Sequence, residues 1–270
     1  MVTTVTGNTA MASMAMGNMV RTMIDLHAHI LPGLDDGSHS WEDSLEMAAQ
    51  AVDCGVEGIA ATTHANLPGN ARAEEKASYL RALEQFSWLL DSEDMELNLY
   101  PGMEIFAQGA YIERLQNREL LTINNTAYVL VEFPMDGPAR DIYIGIDRLR
   151  RIGLYPVLAH PERYACVQEV PAHVREWREM DAVIQMNKGS ILGSFGRGVQ
   201  KTAHYLLTRR MVDVAASDAH SPWRRTTNLE LLFQILAQNY GTSCPRLLLY
   251  KNPEQIVRGK KIFRPSSGDL

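Results

Sequence analysis

The sequence is poor in cysteine, and it contains neither a block of basic residues nor a long apolar run. Its three cysteines, Cys54, Cys166 and Cys244, are widely spaced and odd in number, so they offer neither a disulfide framework nor a thiolate metal site. We interpret them as packing residues in a reducing, cytoplasmic compartment. The 26 basic and 32 acidic residues leave a net charge of −6, and we expect no nucleic-acid partner.

The first 22 residues are rich in Met, Thr, Ala and Gly, with neither a basic opening nor an unbroken apolar stretch. They match neither a secretory signal nor a membrane span, so we expect no membrane insertion and exclude residues 1–22 from the fold as a disordered leader or tag. No Pro/Ser-rich linker divides the remainder. Residues 23–270 are therefore predicted to form a single domain of the size that β/α barrels use.

From Met23 onward, short apolar runs alternate with longer segments of helical periodicity, a pattern typical of parallel strands joined by helices. Seven runs are predicted strands, and they end near Leu26, Ala61, Tyr100, Val131, Ala159, Met186 and Ala216. Three helical segments carry further signals. The first has a capping box at Ser40 and Asp43 and a stop at Gly55. The other two have apolar stripes at Ala73, Ala77, Leu80, Leu83 and Phe86, and at Ile142, Ile146 and Leu149.

Six of the seven predicted strands run directly into a side chain that can bind metal. The segments are DLHAH (25–29), TTHAN (62–66), PGMEIF (101–106), LVEFP (130–134), LAHPER (158–163) and ASDAH (216–220). In a parallel barrel these ends share one rim, where active sites of this architecture lie. His27 and His29 are two residues apart and face the same way on a strand, and Asp218 and His220 repeat the spacing. Imidazole and carboxylate without thiolate suit Mn²⁺, Fe²⁺ or Zn²⁺, with a slight preference for Mn²⁺ or Fe²⁺.

These motifs, with DLHAHILPGLDDG at the start and QMNKGSILGSFG before SDAH, resemble the polymerase-and-histidinol-phosphatase (PHP) family. Within it they look most like the bacterial protein-tyrosine phosphatases of capsule and exopolysaccharide gene clusters. Seven motifs match in order from about Met23 to about Arg225. The resemblance implies an α/β fold, a distorted seven-stranded TIM-like barrel, with two or three divalent ions at its rim.

The resemblance also implies a ligand set. His27, His29 and Asp218 would hold one ion, Glu104 would bridge to a second ion bound by Glu132 and His160, and a third would lie between Asp36, His64 and His220. Asp35 competes with Asp36, which we prefer because it aligns with the Asp-Gly pair of the motif. Asp25 is interpreted as a residue that orients a ligand histidine rather than as a ligand.

The implied chemistry is attack on phosphorus by a metal-bound hydroxide, without a covalent intermediate. Arg163 and either Arg224 or Arg225 would neutralise charge on the phosphoryl oxygens, and we choose Arg224. Backbone N–H groups of the glycine-rich segment 187–198 could also approach a phosphate, although a plain loop fits equally well. A cysteine-based mechanism is excluded, because the residue six positions after each cysteine is Ala60, Ala172 or Tyr250 instead of arginine.

By this resemblance the substrate is phosphotyrosine on a bacterial tyrosine kinase that regulates polysaccharide export. A small-molecule phosphatase of the histidinol-phosphate type is an alternative, but that branch typically has histidine in place of Asp36 and Glu132. An amidohydrolase needs a strand-end lysine, and we expect none here. A non-catalytic metal-binding scaffold is a further alternative, which a complete ligand set disfavours. The sequence leaves the oligomeric state open.

Overall fold

The computed structural model describes residues 22–69 and 75–264. Residues 1–21 of the predicted leader, and Ala71 and Ala73 of the second predicted helix, lie outside this range. Within it, seven strands form one parallel sheet. They are β1 (Met23–Ala28), β2 (Val56–Ala65), β3 (Asn98–Phe106), β4 (Tyr128–Glu132), β5 (Tyr155–Ala159), β6 (Val183–Asn187) and β7 (Val214–Ala216).

The sheet is nearly closed into a barrel, because each strand pairs with the next along the chain and the last returns to the first. An isolated parallel bridge joins Ala28 to Ala219. Two backbone hydrogen bonds support it, from His29 N to Ala219 O at 2.8 Å and from Asp218 N to His27 O at 2.8 Å. The predicted seven-stranded TIM-like α/β barrel is confirmed.

Helices cover the outside of the barrel and connect its strands. They are α1 (Trp41–Asp53), α2 (Glu75–Ser92), α3 (Tyr111–Gln116), α4 (Ala139–Arg151), α5 (Ala165–Glu169), α6 (His173–Glu179), α7 (Lys188–Leu192), α8 (Arg197–Thr208), α9 (Glu230–Tyr240), α10 (Ser243–Arg246) and α11 (Asn252–Val257). Short 3₁₀ turns occupy Ile123–Asn125 and Pro161–Arg163, and a π-helical turn spans Leu247–Lys251. No helix of the described ranges is both long and apolar enough to span a membrane.

The capping prediction for α1 is confirmed, since the Ser40 side chain accepts a hydrogen bond from Asp43 N. The stripe at Ile142, Ile146 and Leu149 is buried as expected. The stripe on α2 was partly wrong, because Leu80 is 42% exposed. Tyr79 faces the barrel instead.

Tyr79 fixes the rotation of α2 with its hydroxyl group. That group donates to Ala61 O at 2.8 Å and accepts from Gly102 N at 2.9 Å, which joins the helix to β2 and β3. A buried phenol must satisfy its hydroxyl, and these two strand atoms do so. The apolar face therefore follows Tyr79, Phe86 and Leu90.

Three strands extend beyond their predicted ends. β1 reaches Ala28, β2 reaches Ala65 and β3 reaches Phe106. His64 and Glu104 are register partners inside the β2–β3 ladder, so these polar side chains belong to the strands themselves. Their positions are fixed by the sheet rather than by a loop.

Candidate metal centre

At the carboxyl ends of the strands, nine imidazoles and carboxylates converge on one mouth of the barrel. We call them the metal-capable cluster, and its members are His27, His29, Asp36, His64, Glu104, Glu132, His160, Asp218 and His220. All the metal ligands predicted from the sequence thus lie together.

Glu104 lies at the centre of the cluster and is almost fully buried. Its Oε2 lies 3.2 Å from His27 Nε2, 3.2 Å from His29 Nε2 and 3.0 Å from His64 Nδ1. Its Oε1 lies 3.0 Å from His160 Nε2. One carboxylate therefore contacts four imidazoles from the ends of three strands, β1, β2 and β5, the arrangement expected of a bridging ligand.

Two further carboxylates of the metal-capable cluster, Asp218 and Glu132, lie close to histidines that also contact Glu104. Asp218 Oδ1 is 3.4 Å from His27 Nε2, and Glu132 Oε1 is 3.6 Å from His160 Nε2. His160 and Asp218 both adopt left-handed backbone conformations, with φ of 35° and 52°. Strain of this kind in non-glycine residues is typical of functional sites, where the surrounding fold holds the side chain in place.

Asp35 and Asp36 are adjacent, but they have different surroundings. Asp35 Oδ2 lies 2.7 Å from His29 Nδ1 and accepts from His64 N at 2.8 Å, so Asp35 orients a histidine from behind. Asp36 is exposed, and its Oδ1 lies 3.6 Å from both His64 Nε2 and His220 Nε2. This geometry is consistent with the preference for Asp36 as the ligand.

Two buried amides on β6 support the cluster, and the sequence analysis did not identify them. Gln185 Oε1 accepts from His160 N at 3.3 Å and lies 3.0 Å from His27 Nδ1. A backbone N–H can only donate, so this atom is an acceptor and His27 Nδ1 must carry the proton. In the neutral imidazole, the lone pair of His27 is then on Nε2, the atom that faces Glu104.

The same chain of hydrogen bonds continues to Asp218. Gln185 Nε2 donates to Asn187 Oδ1 at 2.9 Å, and Asn187 Nδ2 donates to Asp218 Oδ2. β6 is the one predicted strand without a ligand at its end. Its alternating polar residues were the signal that could have revealed this supporting role.

Arginines flank the mouth of the cluster. Arg163 Nη1 lies 3.7 Å from Asp218 Oδ2, and Arg225 Nη2 contacts the same oxygen. Arg225 also donates from Nε to Asp218 O at 3.1 Å. The Phe195 ring lies beneath both guanidiniums, with centroid distances of 4.5 Å for Arg163 and 5.7 Å for Arg225. The side chain of Arg224 is exposed, so the geometry favours Arg225 over the predicted Arg224.

Asp25 is fully buried but does not contact a ligand imidazole. Its Oδ1 accepts from Ser217 N at 3.0 Å and from His27 N at 3.4 Å, so it joins the backbones of β1 and the segment after β7. Gln185 and Asp35 hold the imidazoles instead. Asp25 therefore positions His27 through its backbone N–H, which is consistent with the predicted role of orienting a histidine.

A strand-end lysine does exist, contrary to the sequence analysis. Lys188 follows β6 directly, but its Nζ donates to Asn228 O at 2.9 Å and to Thr226 O, away from the metal-capable cluster. Burial lowers the pKa of its amine to about 8. The lysine thus joins the barrel to the loop before α9 and does not bridge the cluster.

Burial and mutual contact shift the pKa values of the cluster. Burial, with the neighbouring Glu104 charge, raises the pKa of Glu132 to about 8. Burial, with the neighbouring His29, lowers the pKa of His220 to about 3. Burial opposes charge on His29 as well, but Asp35, Asp218 and Glu104 outweigh it and raise the pKa of His29 well above its ordinary value.

The donor set fits divalent cations. Three groups of side chains have ligand atoms within 4.8 Å of one another. These groups are His27, His29 and Glu104; His64, Glu104 and Glu132; and His29, Asp36, His64 and His220. His27 Nε2 and His29 Nε2 face each other at 3.2 Å, and His64 Nδ1 lies 3.0 Å from Glu104 Oε2 without hydrogen-bond geometry to any residue that the structure describes. Such crowded acceptors are costly to bury without a shared cation.

Comparison with known proteins agrees with this site. A family described as capsular polysaccharide synthesis, CpsB/CapC, matches residues 23–258. The tyrosine-protein phosphatase YwqE of Bacillus subtilis is 36% identical over 242 residues, covering 90% of this chain and 94% of that protein. The tyrosine-protein phosphatase CpsB of Streptococcus pneumoniae is 32% identical over 247 residues, covering 89% of this chain and 100% of that protein.

A solved structure agrees as well. It is described as YwqE from Bacillus subtilis and CpsB from Streptococcus pneumoniae, metal-dependent tyrosine phosphatases. It matches with a TM-score of 0.84 at 35% identity, covering 90% of this chain and 97% of that chain. Because the family match spans nearly the whole described barrel, this protein belongs to the CpsB/CapC family of capsular polysaccharide synthesis.

Proposed function

We propose that the protein is a metal-dependent protein-tyrosine phosphatase that acts on a bacterial tyrosine kinase regulating capsule or exopolysaccharide synthesis. The relatives YwqE and CpsB are named tyrosine-protein phosphatases, and the chain covers almost their full length. The observation that carries the proposal is the convergence of the nine-residue cluster beside two guanidiniums. Cations and arginines at one mouth suit a phosphate ester.

The cluster would hold two or three ions, for which we favour Mn²⁺ over Fe²⁺ and Zn²⁺. Glu104 is shared between two positions because its two oxygens face different imidazoles. We assign the first ion to His27, His29 and Asp218, the second to Glu132 and His160, and the third to Asp36, His64 and His220.

Bound divalent ions would lower the pKa of a water molecule toward neutrality and offset the negative charge of the phosphoryl group. The protein's own residues then do the positioning. Arg163 and Arg225 would donate to phosphoryl oxygens, and Gln185 accepts from His27 Nδ1, which directs the Nε2 lone pair of the neutral imidazole toward the cluster. A phenolate is a good leaving group, so hydrolysis of a tyrosyl phosphate depends little on protonation by a general acid.

Parallel assays on a phosphotyrosyl peptide, a phosphoseryl peptide and histidinol phosphate test this function, together with metal analysis of the same protein. We expect the phosphotyrosyl peptide to be preferred and His27→Ala or Asp218→Ala to abolish turnover in a folded chain. His173→Ala is the control, since His173 lies on α6 and contacts Tyr143 instead of the cluster. Preference for histidinol phosphate would refute the substrate, and full activity of the His27 and Asp218 variants would refute the site.

A further inference from the structure

A second cavity lies at the opposite end of the barrel from the metal-capable cluster. Its volume is about 810 Å³, within the range of small-molecule sites. Val212 and Asp213 line it and immediately precede β7, whereas Asp218 and His220 follow that strand. Because a strand separates the two places, a ligand here would not touch the proposed phosphatase centre.

The lining of this cavity is strongly basic. Among the described residues that line it, the cationic ones are Arg178, Arg210, Arg246, Lys251 and Arg264, and the one acidic residue is Asp213. Five positive charges against one negative charge leave a net charge of +4, in a chain whose overall net charge is −6. Like charges gathered around a cavity repel one another, so the arrangement favours an anionic occupant.

Two of these cations form ion pairs with Asp213. The buried Asp213 carboxylate pairs with Arg178 at 2.8 Å and with Arg264 at 3.0 Å, which ties α6 and the segment after α11 to the start of β7. Arg210 and Lys251 are exposed and form no ion pair with any residue that the structure describes. Their charges are therefore available to a ligand.

The rest of the lining is suited to a planar or apolar group. Two aromatic rings, Tyr240 and Phe263, line the cavity, and the Phe263 side chain is half exposed. Leu207 and Leu247 add aliphatic surface, and Asn239, Thr242 and Ser243 supply hydrogen-bonding groups. Cationic side chains beside aromatic rings match a molecule with both phosphates and a flat ring.

We propose that this cavity is a second ligand site that binds a phosphorylated small molecule of the nucleotide class. Arg210 and Lys251 hold its phosphates, and the aromatic side of the cavity accepts its ring. The site does not depend on the metal centre, since none of its lining residues belongs to the metal-capable cluster.

Isothermal titration calorimetry, which measures the affinity of the full chain for ADP, GDP, UDP and pyrophosphate, tests the proposal. The titration is done first after chelation, so that catalytic ions can neither hold nor hydrolyse the phosphates, and then with metal. We expect at least one nucleotide to bind under both conditions. Arg210→Glu with Lys251→Glu should weaken it by about tenfold or more, because two donors to phosphate become repulsive.

Arg209→Glu is the matched control. Arg209 is the exposed neighbour of Arg210, but it does not line the cavity, and its guanidinium lies over the Tyr205 ring at 5.2 Å. It should leave affinity within about twofold of wild type.

Equal weakening by both charge reversals, or no nucleotide binding at all, would overturn the proposal. Pyrophosphate binding as tightly as the nucleotides would overturn the role of the aromatic rings. Arg210→Gln provides a milder variant if the double reversal lowers the melting temperature.

Discussion

Arg224 and Arg225 are neighbours in the chain, yet the structure brings only the side chain of Arg225 to the metal-capable cluster. Arg225 has a left-handed backbone, with φ of 56°, and its O accepts from His220 N at 2.9 Å. This turn aims its guanidinium at Asp218. Arg224 instead bonds through its backbone to the Ser221 hydroxyl. A loop conformation thus decides which of two identical residues faces the site.

We expect Arg225→Ala to lower kcat/KM for a phosphotyrosyl peptide by about 100-fold, the usual order for losing one donor to developing phosphoryl charge. Arg224→Ala should stay within about threefold, because its side chain points to solvent. Steady-state kinetics with equal metal content in both variants checks the pair. The reverse ranking would restore Arg224 as the phosphate-binding residue.

Gln185 offers a second single-residue prediction, about metal affinity. Gln185→Leu removes the acceptor that keeps the proton of His27 on Nδ1, and it also breaks the link to Asn187. Loss of such a supporting contact typically costs about 10- to 100-fold in metal affinity, and we expect the same here.

Competition with a metal-binding dye measures the effect of Gln185→Leu directly, without relying on turnover. Gln234→Leu on α9 is the control, since Gln234 donates to Glu230, one turn away on the same helix. Unchanged affinity in the Gln185 variant would show that His27 needs no such support.

At the scale of elements, the sequence was sufficient to predict seven strands and the residues that meet at their ends. Parallel strands bring their carboxyl ends to one rim, so residues at the ends of different strands lie close together in the barrel. The role of β6 could not be predicted in this way, because Gln185 and Asn187 act through contacts with His27 and Asp218. The rotation of α2 was also missed, since it depends on the Tyr79 hydroxyl finding partners on β2 and β3.

The segment that spans α7 and α8 gives a prediction at this scale. A Cβ atom at Gly189 would lie 2.8 Å from Phe195, whose ring lies under Arg163 and Arg225. Gly189→Ala should therefore displace the ring and both guanidiniums. We expect kcat/KM to fall by about tenfold or more while the metal content is unchanged.

Gly198→Ala is the matched control in the same segment. Its added Cβ would meet only the Gln168 Oε1 atom, the end of a flexible side chain that can move aside. Activity within about twofold of wild type is expected for this variant. Equal losses of activity in both glycine variants would mean that kcat/KM depends on the segment as a whole and not on the position of the Phe195 ring.

For the whole molecule, the weak point of the barrel is the seam between β1 and β7. A bridge at Ala28 and Ala219, with its two flanking backbone hydrogen bonds, joins these strands. His27 and Asp218 lie on opposite sides of the seam, and a shared ion would connect them. Metal binding should therefore stabilise the folded barrel as well as supply the chemistry.

This stabilisation should increase with pH. Without metal, the raised pKa of His29 keeps its imidazole protonated near neutrality, and that charge stabilises the metal-free fold until the pH rises through the raised pKa. An ion needs the bare nitrogen, so binding displaces the proton and weakens as the pH falls.

At metal concentrations near 100 times the dissociation constant, the free energy of unfolding rises by about 2.7 kcal/mol, which corresponds to a rise in melting temperature of about 5–10 °C. Thermal melts with Mn²⁺ and with chelator at pH 6, 7 and 8 measure the difference, which we expect to be largest at pH 8. A difference that stays the same from pH 6 to pH 8 would mean that no proton leaves the cluster when metal binds.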